Sequence, residues 1–159
     1  MAEILSIKKA IKIARKIHSQ NKTIVIAGGC FDILHAGHIK FLENAKKAGN
    51  VLFVLVESDS SVRSKKGPSR PVNKIGARLT VLSAIKFIDY LIPLAKMTKD
   101  EDYDTLMAEI SPNIIATTNH DPNVAHKERQ AKKIGAKVKY VTTRVRNIST
   151  TRLANLSEI

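Results

Sequence analysis

Six consecutive apolar residues, Val51-Leu52-Phe53-Val54-Leu55-Val56, carry no polar alternation. A strand wetted on one side alternates with period two, so this run predicts a strand covered on both faces, as in a parallel sheet between helical layers. Similar short runs recur at Thr23-Ile24-Val25-Ile26-Ala27, Tyr90-Leu91-Ile92-Pro93, Asn113-Ile114-Ile115-Ala116-Thr117 and Lys137-Val138-Lys139-Tyr140-Val141. The segments between them space apolar residues by three and four. Ile4, Ile7, Ile11, Ala14 and Ile17 predict an amphipathic helix, with Ser6 as N-cap. Ile39, Leu42 and Ala45 predict a second, stopped by Gly49. A short helix starts near Asp59, and Ile75, Leu79, Leu82, Ile85 and Ile88 predict a longer one over 75–88. Further helices are expected over 100–110, from the Asp121-Pro122 pair to Gly135, and from Ser149 to Leu156. Regular alternation of this kind predicts a Rossmann-like, doubly wound α/β fold: five parallel strands with helices on both faces. One domain is expected over residues 1–159, with 1–22 as an N-terminal amphipathic helix packed on it.

Lys and Arg number 27 against 14 Asp and Glu, a formal net charge of +13. Such a surface attracts polyanions and phosphorylated molecules, or is simply a solvated lysine-rich face. Aromatic residues are 4% of the chain, so the core rests on aliphatic side chains. Cys30 is the only cysteine, which excludes an intrachain disulfide, and it reads as a packing residue rather than a nucleophile. No apolar run approaches the roughly 20 residues that cross a bilayer, and no signal-type run follows Met1. A cytoplasmic protein with no membrane partner is expected.

A parallel sheet binds ligands beyond the carboxyl ends of its strands, where strand order reverses. The polar loops of this chain fall there. After the first predicted strand comes Gly28-Gly29-Cys30-Phe31-Asp32-Ile33-Leu34-His35-Ala36-Gly37-His38, which runs directly into a helix. A helix N-terminus offers free N–H groups and a positive dipole end to an anion, and two imidazoles sit in its mouth. His-x-x-His is also a metal-ligand spacing, but no third or fourth ligand accompanies it. Residues 63–71 are basic and broken by Gly67, Pro68 and Pro71, the composition of a binding lid or of a solvated loop. Ser149-Thr150-Thr151, preceded by Arg144 and Arg146, forms either an ordinary N-cap or a phosphate cradle.

These motifs resemble, in order, those of the HxGH nucleotidyltransferases in their cytidylyltransferase-like branch. Within that branch the chain looks most like the adenylyltransferase domain of the bifunctional heptose-phosphate kinase/adenylyltransferases of lipopolysaccharide biosynthesis. The resemblance covers essentially the whole chain, and Lys66-Gly67-Pro68-Ser69-Arg70-Pro71-Val72 is the stretch that points to the heptose branch. It implies transfer of a nucleoside monophosphate from ATP or CTP to a phosphorylated acceptor such as a sugar 1-phosphate. Pyrophosphate leaves, and Mg²⁺ arrives with the triphosphate rather than in a protein-only site. By match to the motif, His35 and His38 contact the triphosphate, Lys66 or its neighbour Lys65 covers the phosphates, and Arg78 holds that region. Gly29, Cys30, Phe31, Gly37, Asn119, Arg144, Ser149, Thr150 and Thr151 line the nucleotide, and Asp32 and Asp59 lie towards the acceptor. Relatives often pair, so a homodimer is compatible.

The chain departs from the heptose branch at three points, one being that no kinase domain is expected beside the transferase part. Thr117-Thr118-Asn119-His120-Asp121 stands where that branch has a Gly-Gly-Asp loop, which leaves ATP versus CTP open. Gly28-Gly29 stands where Asn-Gly is usual. Glycerol-3-phosphate cytidylyltransferases and FAD synthases share the histidine and Ser-Thr-Thr motifs and remain alternatives. A non-catalytic, basic nucleic-acid-binding protein on the same scaffold is the alternative of another class; the intact motifs argue against it.

Overall fold

The computed structural model describes residues 1–97, 99–119 and 121–143. The elements are β1 (Glu3–Ile4), α1 (Ile7–Ser19), β2 (Ile24–Gly29), α2 (Ala36–Lys47), β3 (Val51–Val56) and α3 (Asp59–Lys66). They continue with α4 (Ile75–Ser83), β4 (Tyr90–Pro93), α5 (Asp100–Ile110), β5 (Ile114–Asn119), α6 (Val124–Ile134) and β6 (Lys137–Thr143). The strands form one parallel sheet in the order β1-β4-β3-β2-β5-β6. From β2 the chain works outward through β3 and β4, then returns to place β5 on the other side of β2. The reversal point therefore lies between β2 and β5.

The sheet has six strands, not five. The added strand is β1, whose Glu3 and Ile4 pair with Tyr90 and Leu91 of β4. Ser6 caps α1 by accepting a hydrogen bond from the Lys9 amide at 3.3 Å. A helix capped there excludes Ile4, which lies in the edge strand at 48% exposure, while Leu5 turns into the core. The N-terminal helix thus occupies residues 7–19 of the expected 1–22.

Alternate strand residues feed two cores, one on each face. Ile24, Ile26, Phe53, Leu55, Ile92 and Ile115 pack with α1, α5 and α6. Val25, Ala27, Leu52, Val54, Leu91 and Ala116 pack with α2 and α4. Both faces are closed, as the unbroken apolar run of β3 requires.

Three details differ from the periodicity. In α2 the buried face is Phe41, Leu42 and Ala45, with Ile39 exposed. Helix α4 stops at Ser83; Ile85 and Ile88 carry the apolar spacing onward through tight turns, their amides bonding three residues back to Leu82 and Ile85. Helix α6 begins at Val124, because Asp121 accepts from the Asn123 amide at 2.9 Å and turns the chain first. As expected, α2 ends just before Gly49, which is also required by space: a Cβ there would lie 2.6 Å from Val25 Cγ2 and 2.9 Å from Thr23 Cγ2.

Candidate active site

The site is built on the turn from β2 into α2. Gly29 has its Cα against the ring of Phe31, where an added Cβ would meet Phe31 Cε2 at 3.0 Å. Phe31 takes a left-handed backbone, φ 46°, which folds its ring back over the strand end. The ring is buried and lies 5.5 Å, centroid to centroid, from that of His38.

His35 is the N-cap of α2. Its Nδ1 accepts from the Gly37 amide at 3.1 Å, so in the neutral ring the proton sits on Nε2. His38 follows one turn later, its ring stacked at 4.0 Å and 33° on His35. Burial lowers the His35 pKa, and burial together with His35 lowers that of His38 to about 4. At neutral pH both rings are therefore uncharged, and His38 Nδ1 is buried without a hydrogen-bond partner among the described residues. Two neutral N–H donors at a helix N-terminus suit an anion that brings its own charge.

Arg78 braces the loop from α4. Its side chain is fully buried, and Nη1 donates to the Cys30 carbonyl at 2.5 Å. Nη2 donates to the Glu57 carbonyl at 2.8 Å and to Asp59 Oδ1 at 2.7 Å. One guanidinium thus ties together the ends of β2 and β3 and the first residue of α3. Asp59 is occupied by this bond.

Asp32 holds a second brace. Its buried carboxylate accepts from Arg70 Nε at 2.6 Å, the Val72 amide at 2.9 Å and the Asn73 amide at 2.8 Å. Asn73 Nδ2 returns a bond to the Asp32 carbonyl at 2.9 Å. Burial alone pushes the carboxyl pKa up; the amides and the guanidinium outweigh it and hold it below the usual value.

The basic stretch 63–71 is accordingly not one loop. Its first part completes α3, and Arg70 is buried on Asp32. Lys65 bonds Glu57 Oε1 at 2.9 Å and Tyr103 Oη at 3.3 Å, while Lys66 is exposed. Cys30 has its thiol pKa raised, chiefly by burial and then by Glu57, against Lys66, Lys65 and Arg78. A thiol held protonated is no nucleophile.

Across the reversal point, exposed Asn119 ends β5. The loop beyond is pinned by Asp121 Oδ2, which accepts from Thr117 Oγ1 and Lys127 Nζ, both at 2.7 Å. Arg144, Ser149, Thr150 and Thr151, with the helix expected at 149–156, lie outside the described residues. The structure gathers Gly29, Cys30, Phe31, Gly37, His35 and His38 into one turn, with Arg78, Asp59 and Lys65 joined to it through strand ends. Glu57, Arg70 and Tyr103 were missed by the sequence reading. Glu57 had a signal in its place directly after a strand; Tyr103 had none. Among the described residues no group of three or more His, Cys, Asp or Glu is placed to hold a metal ion. No helix among them is long and apolar enough to cross a membrane.

The fold is that of an α/β protein with a parallel sheet and a histidine pair at the N-terminus of the helix beside the reversal point. The cytidylyltransferase-like family model matches residues 26–155. The bifunctional protein HldE of Pectobacterium carotovorum subsp. carotovorum is 43% identical over 109 residues, 69% of this chain and 21% of that protein. HldE of Coxiella burnetii is 43% identical over 112 residues, 70% of this chain and 23% of that protein. The chain spans about a fifth of the length of these curated relatives. Among solved structures, the lipopolysaccharide core biosynthesis protein of Thermoplasma volcanium superimposes with a TM-score of 0.62 at 30% identity, covering 80% of this chain and 99% of that one. Pantoate-beta-alanine ligase of Francisella tularensis, at 15% identity, a TM-score of 0.65 and 99% and 77% coverage, shares the fold. The chain belongs to the cytidylyltransferase-like family and is a nucleotidyltransferase.

Proposed function

We propose that this nucleotidyltransferase moves a nucleoside monophosphate from ATP or CTP to a sugar 1-phosphate, heptose 1-phosphate being the first candidate. A phosphate oxygen of the acceptor forms a bond to the α-phosphorus as the bond to the β-phosphate oxygen breaks, and pyrophosphate leaves. The observation that carries this reading is the His35–His38 stack at the mouth of α2. Both rings are neutral, so each offers an N–H to phosphate oxygens with little pH dependence near 7. Charge builds on those oxygens in the transition state, and donors already in place stabilise it without reorganisation. Arg78 and Asp32 keep the loop rigid enough for such alignment.

Lys65 and Lys66, at the end of α3, lie within electrostatic reach of Cys30 in the histidine turn and supply the positive charge that a triphosphate requires. Arg144, Ser149, Thr150 and Thr151 are assigned to the β- and γ-phosphates from their motif. Asp32 and Asp59 are both engaged by arginines, a donor set that suits Mg²⁺ carried in by the phosphates rather than held by a carboxylate cage. The magnesium would neutralise the phosphates as they bind. The HldE relatives and the lipopolysaccharide core biosynthesis neighbour favour the sugar 1-phosphate acceptor over a polyol phosphate or FMN. We place the enzyme in the cytoplasm, where nucleoside triphosphates are made.

The test is pyrophosphate release in the presence of Mg²⁺, with ATP or CTP against heptose 1-phosphate, glycerol 3-phosphate and FMN. ATP with heptose 1-phosphate is expected to give the highest kcat/KM. Release only with CTP and glycerol 3-phosphate, or with none of the pairs, overturns the assignment.

A further inference from the structure

Glu57 sits at the carboxyl edge of the sheet directly after β3, and an acidic group is unexpected at an edge that receives phosphates. Its side chain is 12% exposed. The Tyr103 hydroxyl, brought in by α5 from 46 positions along the chain, lies 3.0 Å from both of its oxygens. Lys65 Nζ closes the triangle, 2.9 Å from Glu57 Oε1 and 3.3 Å from Tyr103 Oη, and also lies 5.4 Å over the Tyr103 ring. The neighbouring Lys66 makes no ion pair among the described residues.

The triangle belongs to the phosphate edge. Glu57, Lys65 and Lys66 all act through space on the thiol of Cys30, in the loop that leads to the histidines. The backbone of Glu57 is fixed there as well, its amide donating to the Gly29 carbonyl at 3.1 Å and its own carbonyl accepting from Arg78. The carboxylate is thus anchored at its backbone and largely buried, whereas the lysine side chain is half exposed and stands on the last turn of α3. Burial pulls the lysine pKa down, but the carboxylate and the phenol outweigh it and raise it, so Lys65 is fully charged.

We propose that Glu57 and Tyr103 are positioning residues for Lys65: they clasp its ammonium in the nucleotide-free protein and yield it to the incoming triphosphate. This rests on the reading of Lys65 as a phosphate ligand given above. A single carboxylate and a triphosphate compete for the same ammonium. The more highly charged anion wins, while a weakly charged one does not open the clasp. Tyr103 keeps Glu57 in place by donating to both oxygens, so the clasp re-forms when pyrophosphate departs.

Titration calorimetry with MgATP and MgCTP tests this on the wild type, Tyr103→Phe, Glu57→Gln, Lys65→Ala and the Tyr103→Phe/Lys65→Ala double variant. Tyr103→Phe and Glu57→Gln are expected to bind the preferred triphosphate about twofold to fivefold more tightly, the range of a half-exposed ion pair. In the Lys65→Ala background the Tyr103→Phe gain is expected to vanish. Unchanged or weaker binding by Tyr103→Phe and Glu57→Gln, or a Tyr103→Phe gain that survives the loss of Lys65, overturns the clasp and leaves the functional reading standing. If the wild type binds neither triphosphate, the functional reading falls and the clasp falls with it.

Discussion

Asp32 and Arg70 form a buried ion pair, Arg70 Nε to Asp32 Oδ2 at 2.6 Å, across 38 positions of sequence. It binds the loop of the two histidines to the segment that follows the two lysines.

Asp32→Ala leaves the Arg70 guanidinium buried and unpaired, and it frees the amides of Val72 and Asn73. Losing one partner of a buried pair typically costs about 3–5 kcal/mol, and that loss is expected in urea denaturation. The pair also titrates. The folded-state pKa of Asp32 is depressed, so its stabilisation is complete above the unfolded carboxyl value and is lost as pH falls through the lower folded value. The gap between wild type and Asp32→Ala should therefore narrow in strongly acidic solution.

His38 is expected to titrate near 4 in the free protein, read from its ring proton resonances. Unfolded histidine titrates near 6.5, so the unfolded chain binds more protons between these values. The His38 contribution to stability is therefore full above pH about 6.5 and declines as pH falls towards 4. His38→Ala is expected to lower kcat by about 10²–10³ while urea denaturation remains cooperative, the usual loss for one donor to a developing oxyanion. A normal histidine midpoint or an unchanged kcat would count against the proposed site.

Gly29→Ala and Gly49→Ala separate the site from the scaffold. At Gly29 the new methyl meets the Phe31 ring at 3.0 Å, and that ring must shift from beside His38. Triphosphate affinity should fall with a modest change in Tm. At Gly49 the methyl meets Val25 Cγ2 at 2.6 Å, far from the histidines, so a stability loss of about 1–3 kcal/mol is expected with binding preserved.

Arg78→Lys keeps the charge but cannot span Cys30, Glu57 and Asp59 at once. Leaving buried carbonyls without a donor is expected to cost about 1–3 kcal/mol in urea denaturation. Because the variant loosens the β2 turn rather than removing a ligand contact, kcat should drop more than KM rises. Asp59→Asn, with its carboxylate partly in water, should be milder on both counts.

The strands buried on both faces and the histidine turn were legible because each is written in consecutive residues. Strand β1 was not, since two residues joined by backbone hydrogen bonds leave no periodicity to read. Arg70 lies among Gly67, Pro68, Ser69 and Pro71, the composition of an exposed loop, and only a carboxylate 38 positions away shows otherwise. Ile85 and Ile88 prolonged the apparent helix because the turns after Ser83 serve the same core. Gly49 was legible as the helix stop it is; that a methyl on β2 also leaves no room for a side chain there was not. Tyr103 was invisible because its partners, Glu57 and Lys65, belong to distant elements.

Arg70, Asn73 and Arg78, the groups that brace the histidine turn, all lie on the carboxyl side of exposed Pro68 and Ser69, whereas Lys65 and Lys66 lie on the amino side. A backbone cut between Pro68 and Ser69 would leave the histidines splinted to α4, and it would leave Lys65 held by Glu57 and Tyr103 and α3 held by Asp59 on Arg78. Each half of the proposed phosphate grip therefore has its own anchor in the fold, and Arg78 on Asp59 is the bolt between them.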